Sequence, residues 1–169
     1  MDQKEIMHKL QVAVALHKQG DIDTAEEIYR QVLSVDNNNF YALNLCGCIQ
    51  REKKRFDEGI ALLASAVSVQ PGNPEATYNL GNVFMDAQMW DDAISCYEKT
   101  LGLSDEYPEA LHNLGICLMA VERYQYSEIV LRRAVLFQPG LAGAWFCLSN
   151  TLMKQAKIRE AISCYRKAI

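Results

Sequence analysis

The triplet Asn-Leu-Gly occupies residues 79–81 and returns at 113–115, an interval of 34 residues. Used as a ruler, that interval divides the chain into blocks beginning at Ile6, Phe40, Pro74, Pro108 and Ala142, with no insertion or deletion between them. A period of this length constrains the fold more than any other feature, because it writes one supersecondary unit several times and each copy must bury itself against its neighbours. The eighth position reads Ala13, Gly47, Gly81, Gly115 and Ser149, and the twentieth reads Ala25, Gly59, Ala93, Ser127 and Ala161, all small. The twenty-fourth reads Tyr29, Leu63, Tyr97, Leu131 and Tyr165, all large.

Inside a block the apolar spacing is helical. In the third, Leu80 and Phe84 are followed after a polar break by Ile94, Tyr97 and Leu101, each three or four residues from the last, which predicts two helices per block. Gly20 lies in the first such break, and Asp57-Glu58 and Asp91-Asp92 open second helices, where carboxylates meet free N–H groups and the positive dipole end. Pro74 and Pro108 suit a first helical turn. A glycine inside a helix costs about 1 kcal/mol relative to alanine, so Gly47, Gly81 and Gly115 at one matched position predict close helix contact, with the eighth position facing the twentieth.

Composition narrows the function. A chain of 169 residues with 50% hydrophobic content folds, and 17 basic against 21 acidic residues, net charge −4, argue against nucleic acid as a ligand because phosphate neutralisation needs a basic surface. The run Arg51-Glu52-Lys53-Lys54-Arg55 reads as a solvated turn. No stretch has the length of a membrane span, and the start lacks the apolar core of a secretory signal. The six cysteines fall mostly inside apolar helical patterns, as free thiols do, so a reduced, cytoplasmic setting is expected. Cys46-Gly-Cys48 has no second ligand pair, and His8 and His17 do not share a helical face, so neither a metal nor a cofactor is expected. His112 and Cys147 fall on adjacent first helices, but no orienting group or oxyanion site accompanies them, and no enzyme is predicted.

The repeated pattern resembles the tetratricopeptide repeat, with Leu80, Leu114 and Leu148 at position 7, a small residue at 8 and 20, an aromatic at 24 in alternate blocks, Ala66, Ala134 and Ala168 at 27, and Pro71 and Pro139 at 32. Lys9 and Thr77 at position 4 and Gln50 at position 11 depart from it. The resemblance implies an all-α, right-handed superhelical solenoid of helix-turn-helix pairs. It makes residues 1–169 a single array with repeats at 6–39, 40–73, 74–107, 108–141 and 142–169, the last incomplete.

It further implies that first helices line a concave groove. On that geometry the peptide-binding candidates are Asn44, Tyr78, Asn79, Asn82, His112, Asn113, Phe146 and Asn150. Carboxamides offer a donor and an acceptor together, which suits the backbone of an extended segment. Asn79 and Asn113 resemble the asparagine ladder in the repeat arrays of O-linked N-acetylglucosamine transferases, in a row that Leu45 and Cys147 interrupt. The other reading is that these amides bond within the repeat or to water. Met85, Met119 and Met153 form a row read either as an adaptable apolar surface or as packing between helices. The carboxylate clamp of chaperone co-factors is missing, since Tyr78, Gly143 and Cys147 stand where its cations belong.

Lys9 and Glu26 make the first block polar, as a capping end would be, whereas Ile158, Ile162, Tyr165 and Ile169 give the last helix an apolar face. That face is expected either to continue into a longer protein or to pair with a second copy. The function expected is a protein-protein interaction module binding an extended peptide or protein segment. The alternatives are the substrate-recognition arm of a larger enzyme, such as a glycosyltransferase, and a self-associating scaffold.

Overall fold

The computed structural model describes residues 2–169. Ten α-helices and no strands occur among the described residues: α1 (Gln3–Lys18), α2 (Ile22–Val35), α3 (Phe40–Glu52), α4 (Phe56–Val69), α5 (Pro74–Asp86), α6 (Trp90–Leu103), α7 (Pro108–Ala120), α8 (Tyr124–Phe137), α9 (Ala142–Lys154) and α10 (Ile158–Ala168). Four helices begin on Phe40, Pro74, Pro108 and Ala142, the residues at which the sequence period restarts. The first helix begins earlier than Ile6, at Gln3, because the Asp2 carboxylate accepts the Glu5 N–H at 2.8 Å and caps an extra turn.

The chain forms two compact units, Met1–Ala87 and Gln88–Ile169. In the first, successive helices from α1 to α5 pack on one another and α3 also lies against α5. Its core joins Ile6, Leu10 and Ala13 of α1 to Tyr29 and Val32 of α2 and to Cys46 and Ile49 of α3. In the second unit α6 to α10 pack in the same way, with α7 also against α9. Leu111, Leu114, Leu118, Leu131, Leu148 and Leu152 are fully buried there.

Each break between a first and a second helix has one backbone form. Gly20, Lys54, Gln88, Glu122 and Ala156 all have positive φ, 87° for the glycine and 58° to 59° for the others. The following N–H reaches back over the turn, as Asp21 to the Leu16 carbonyl at 3.0 Å and Arg55 to that of Gln50 at 2.8 Å. Arg123 does so to Leu118 at 2.8 Å and Lys157 to Leu152 at 2.9 Å, the closure of a Schellman cap.

The packing extends one expectation and corrects another. A Cβ built on Gly47 would stand 2.6 Å from Leu63 Cγ, and one on Gly115 2.5 Å from Leu131 Cγ, so the eighth position makes room for the twenty-fourth. The twentieth position also meets the eighth, at its backbone: Ser127 Oγ donates to the Gly115 carbonyl at 2.9 Å, and a Cβ on Gly59 would stand 3.3 Å from the Gly47 carbonyl. Glu26 is not a solvent-facing capping residue. It is 7% exposed and accepts the amide of Gln50, itself fully buried, at 2.9 Å, so two departures from the apolar pattern satisfy each other.

All six cysteines are free thiols. No helix among the described residues is long and apolar enough to cross a membrane.

Candidate functional site

The fifth, sixth and ninth positions of the first helices carry most of the candidate side chains, and each unit is described in turn. In the Met1–Ala87 unit, α3 supplies Asn44 and α5 supplies Tyr78, Asn79 and Asn82. Asn44 is 3% exposed, and its side-chain oxygen accepts an Asn79 side-chain N–H at 3.1 Å. Asn79 is half-buried, so its carboxamide is fixed from below by a buried partner. Asn82 is buried, whereas Tyr78 is half-buried. Beyond them Arg51 Nε pairs with the Asp86 carboxylate at 2.9 Å.

The α1–α3 face of this unit differs. A hollow of about 270 Å³ is lined by Met7, Leu10, Gln11, Val14, Tyr41 and Leu45. Met7 and Tyr41 stand 52% and 59% exposed, although both are large and apolar. Both occupy the second position of a block. A large apolar residue at that position in two successive blocks, where the next two carry Glu75 and Glu109, was the signal that could have found the hollow.

In the Gln88–Ile169 unit, α7 supplies His112 and Asn113, and α9 supplies Phe146 and Asn150. Phe146 is 51% exposed and meets the Tyr165 ring edge-on at 5.7 Å. The Tyr165 hydroxyl donates to the Asn150 side-chain oxygen, so that acceptor is engaged within the unit. His112 Nε2 lies 3.4 Å from Cys147 Sγ, the adjacency expected from the sequence. Burial lowers the His112 pKa, against a backbone hydrogen bond with Gly143 that raises it, and burial raises that of the Cys147 thiol. Both shifts favour neutral imidazole and neutral thiol over the ion pair that a thiolate nucleophile requires. No cluster of three metal-ligating side chains occurs among the described residues.

Comparison with known proteins follows the same lines. Three family models described as tetratricopeptide repeat match the chain, one over residues 50–101, one over 78–142 and one over 10–39 and 142–169. Among solved structures the chain is similar to the MamA protein, at 21% identity over 96% of this chain and 89% of that one, with a TM-score of 0.86. It is also similar to residues 41 to the end of MamA from Desulfovibrio magneticus RS-1, at 14% identity over 99% and 94% of the two chains, with a TM-score of 0.89. A third is YrrB, a TPR protein with an unusual peptide-binding site, at 20% identity over 95% and 83%, with a TM-score of 0.80. At these identities the likeness is one of fold. No curated protein matches the sequence.

Proposed function

The chain belongs to the tetratricopeptide repeat family, and from that premise we propose that it is a non-catalytic interaction module that holds an extended peptide or protein segment against its first helices. The reading treats residues 6–169 as one array of five repeats, the last incomplete. Asn79 and Asn113 hold the backbone of the segment, and Tyr78, His112 and Phe146 shape its path.

The Asn44–Asn79 hydrogen bond at 3.1 Å carries this reading. It fixes the plane of the Asn79 carboxamide from a buried neighbour, and the remaining N–H and the oxygen are the donor and acceptor that a peptide unit needs. A pre-oriented amide loses little entropy on binding, which favours its use as a contact. The peptide-binding site of YrrB, a protein similar in fold, lends support.

Panning a display library of dodecapeptides on the purified chain tests the proposal. Enriched peptides, remade synthetically, are expected to lose about tenfold in affinity on Asn79→Ala and on Asn113→Ala, the effect of one hydrogen bond near 1.4 kcal/mol. Circular dichroism should show both variants as helical as the parent. A library that yields no binder, or binders indifferent to both substitutions, would overturn the proposal.

A further inference from the structure

We propose that the hollow between α1 and α3 is the specificity pocket of the groove, taking one large apolar side chain that the bound segment carries three to four residues away from the stretch held by Asn79. This rests on the groove reading above and adds the chemistry of the partner.

The lining is the first argument. Of its six residues, Met7, Leu10, Val14 and Leu45 carry no side-chain N or O, and only the Gln11 amide and the Tyr41 hydroxyl are polar. A charged or amide side chain entering it would shed water without gaining a matching set of partners, whereas an apolar one gains about 25 cal/mol for each Å² it buries. The pocket is also built before any ligand arrives. Leu10 in its floor is 7% exposed and belongs to the core, and the Tyr41 ring, although exposed, is braced edge-on by buried Phe40 at 5.5 Å. Met7 supplies a flexible, polarizable wall that adapts to leucine, isoleucine, methionine or phenylalanine.

Charge points the same way. A second hollow shares Val14 and Leu45 and extends the trough to His17 and Glu52, which stand 3.4 Å apart. Further along, Arg51 is matched by Asp86 at 2.9 Å. Arg51 thus already faces a carboxylate of the same unit, and Lys18, which also lines the second hollow, lies about 16 Å along α1 from Met7, so little field remains to select a charged residue at the pocket.

Size favours a single segment over a second copy as the occupant. From Met7 to Lys18 the trough follows eleven residues of α1, about 16 Å at 1.5 Å per residue, and its width is one helix spacing of about 10 Å. That footprint is several times smaller than the ~800 Å² per partner of a stable interface between folded proteins. A single segment fits it. Leu45 and Asn79 hold the same sixth position on α3 and α5, which pack together. One helix spacing plus part of the hollow is spanned by three to four residues at about 3.3 Å each in extended conformation.

The dodecapeptide library supplies the test, with Met7→Glu and Tyr41→Glu as variants, both at exposed sites so that helicity and melting should match the parent. Enriched peptides are expected to share a leucine, isoleucine, methionine or phenylalanine at one position. Replacing that residue by aspartate, or making either protein variant, is expected to weaken fluorescence-anisotropy affinity by tenfold or more. Peptides without a shared apolar residue, or unaffected by both variants yet weakened by Asn79→Ala, would overturn the pocket and leave the groove reading standing. Indifference to all three substitutions, or the absence of any binder, would overturn both. A concentration-dependent dimer in sedimentation that Tyr41→Glu abolishes would replace the segment by a second copy.

Discussion

Gly115 lies inside α7, where glycine is a poor choice for a helix, and its reason is one neighbouring side chain. An alanine Cβ would stand 2.5 Å from Cγ and 2.6 Å from Cδ2 of Leu131, which is fully buried and has nowhere to retreat. Overpacking of this kind costs about 1–3 kcal/mol, against a helix-propensity gain of about 1 kcal/mol for Gly→Ala. Gly115→Ala is therefore expected to lower stability by up to about 2 kcal/mol. In a Leu131→Ala background the clash is gone, so the same substitution is expected to raise stability by about 1 kcal/mol. Urea midpoints of the four proteins decide it, and a shift of the same sign in both backgrounds would remove the explanation. The sequence announced that these small residues mattered, but not their partner, because the eighth and twentieth positions are equally small and only coordinates show which one a side chain enters. The left-handed turn residue was less legible still. Gly20 marked it in the first block, whereas Lys54, Gln88, Glu122 and Ala156 adopt the same φ without a glycine to announce it, a conformation costing about 1–2 kcal/mol each that the closing bonds of the helix cap offset.

Between elements, α2 is fastened to α3 and α4 by one polar network. Glu26 of α2 accepts from Gln50 at 2.9 Å and from Lys53 at 2.6 Å on the α3 side, and from Arg30 at 2.9 Å on its own helix. Arg30 in turn pairs with Glu58 of α4. The pattern recurs three periods later, where Glu128 of α8 accepts from Gln155 at 2.9 Å, Lys157 at 2.6 Å and Arg132 at 2.8 Å. Burial pushes the Glu26 pKa up, but the hydrogen bonds from Lys53, Arg30 and Gln50 outweigh it and hold the carboxyl at about 2, below its ordinary 4.5. A carboxyl depressed on folding stabilises the fold above its unfolded pKa and loses that contribution as pH falls through the folded one. The loss thus runs from about pH 4.5 down to about 2, and corresponds to on the order of 3 kcal/mol. Glu26→Gln is expected to be less stable at pH 7 and to show a flatter decline between pH 4.5 and 2, measured by denaturant midpoints followed by circular dichroism. An unchanged slope over that window would show that the acid sensitivity lies elsewhere. Sequence reading saw Glu26 and Gln50 as separate blemishes in an apolar pattern. Their complementarity spans 24 residues, and no local rule pairs positions that far apart.

For the molecule as a whole, the helical class, the starts of α3, α5, α7 and α9 and the prolines at first turns were legible, because a strict period repeats each local signal until chance is excluded. The site was legible in part. The amide of Asn79 was visible in the repeated triplet, yet its bond to Asn44 depends on how two adjacent helices rotate. The hollow at Met7 and Tyr41 was invisible because exposed apolar residues are ordinary on any surface until their neighbours are known. These pieces set the energetics of binding. The chain carries a net charge of −4, but in the Met1–Ala87 unit the groove-side cation Arg51 faces the Asp86 carboxylate at 2.9 Å. A segment held by carboxamides and one apolar side chain releases few ions on binding, and charges separated by more than about 10 Å are screened at 0.1 M salt. Affinity for a library-selected dodecapeptide is therefore expected to change by less than about threefold between 50 and 500 mM sodium chloride, and calorimetry at several temperatures should give a negative heat-capacity change from apolar burial. A loss of a hundredfold over that salt range, with a heat-capacity change near zero, would assign recognition to charge and remove both the amide contact and the apolar pocket from their proposed roles.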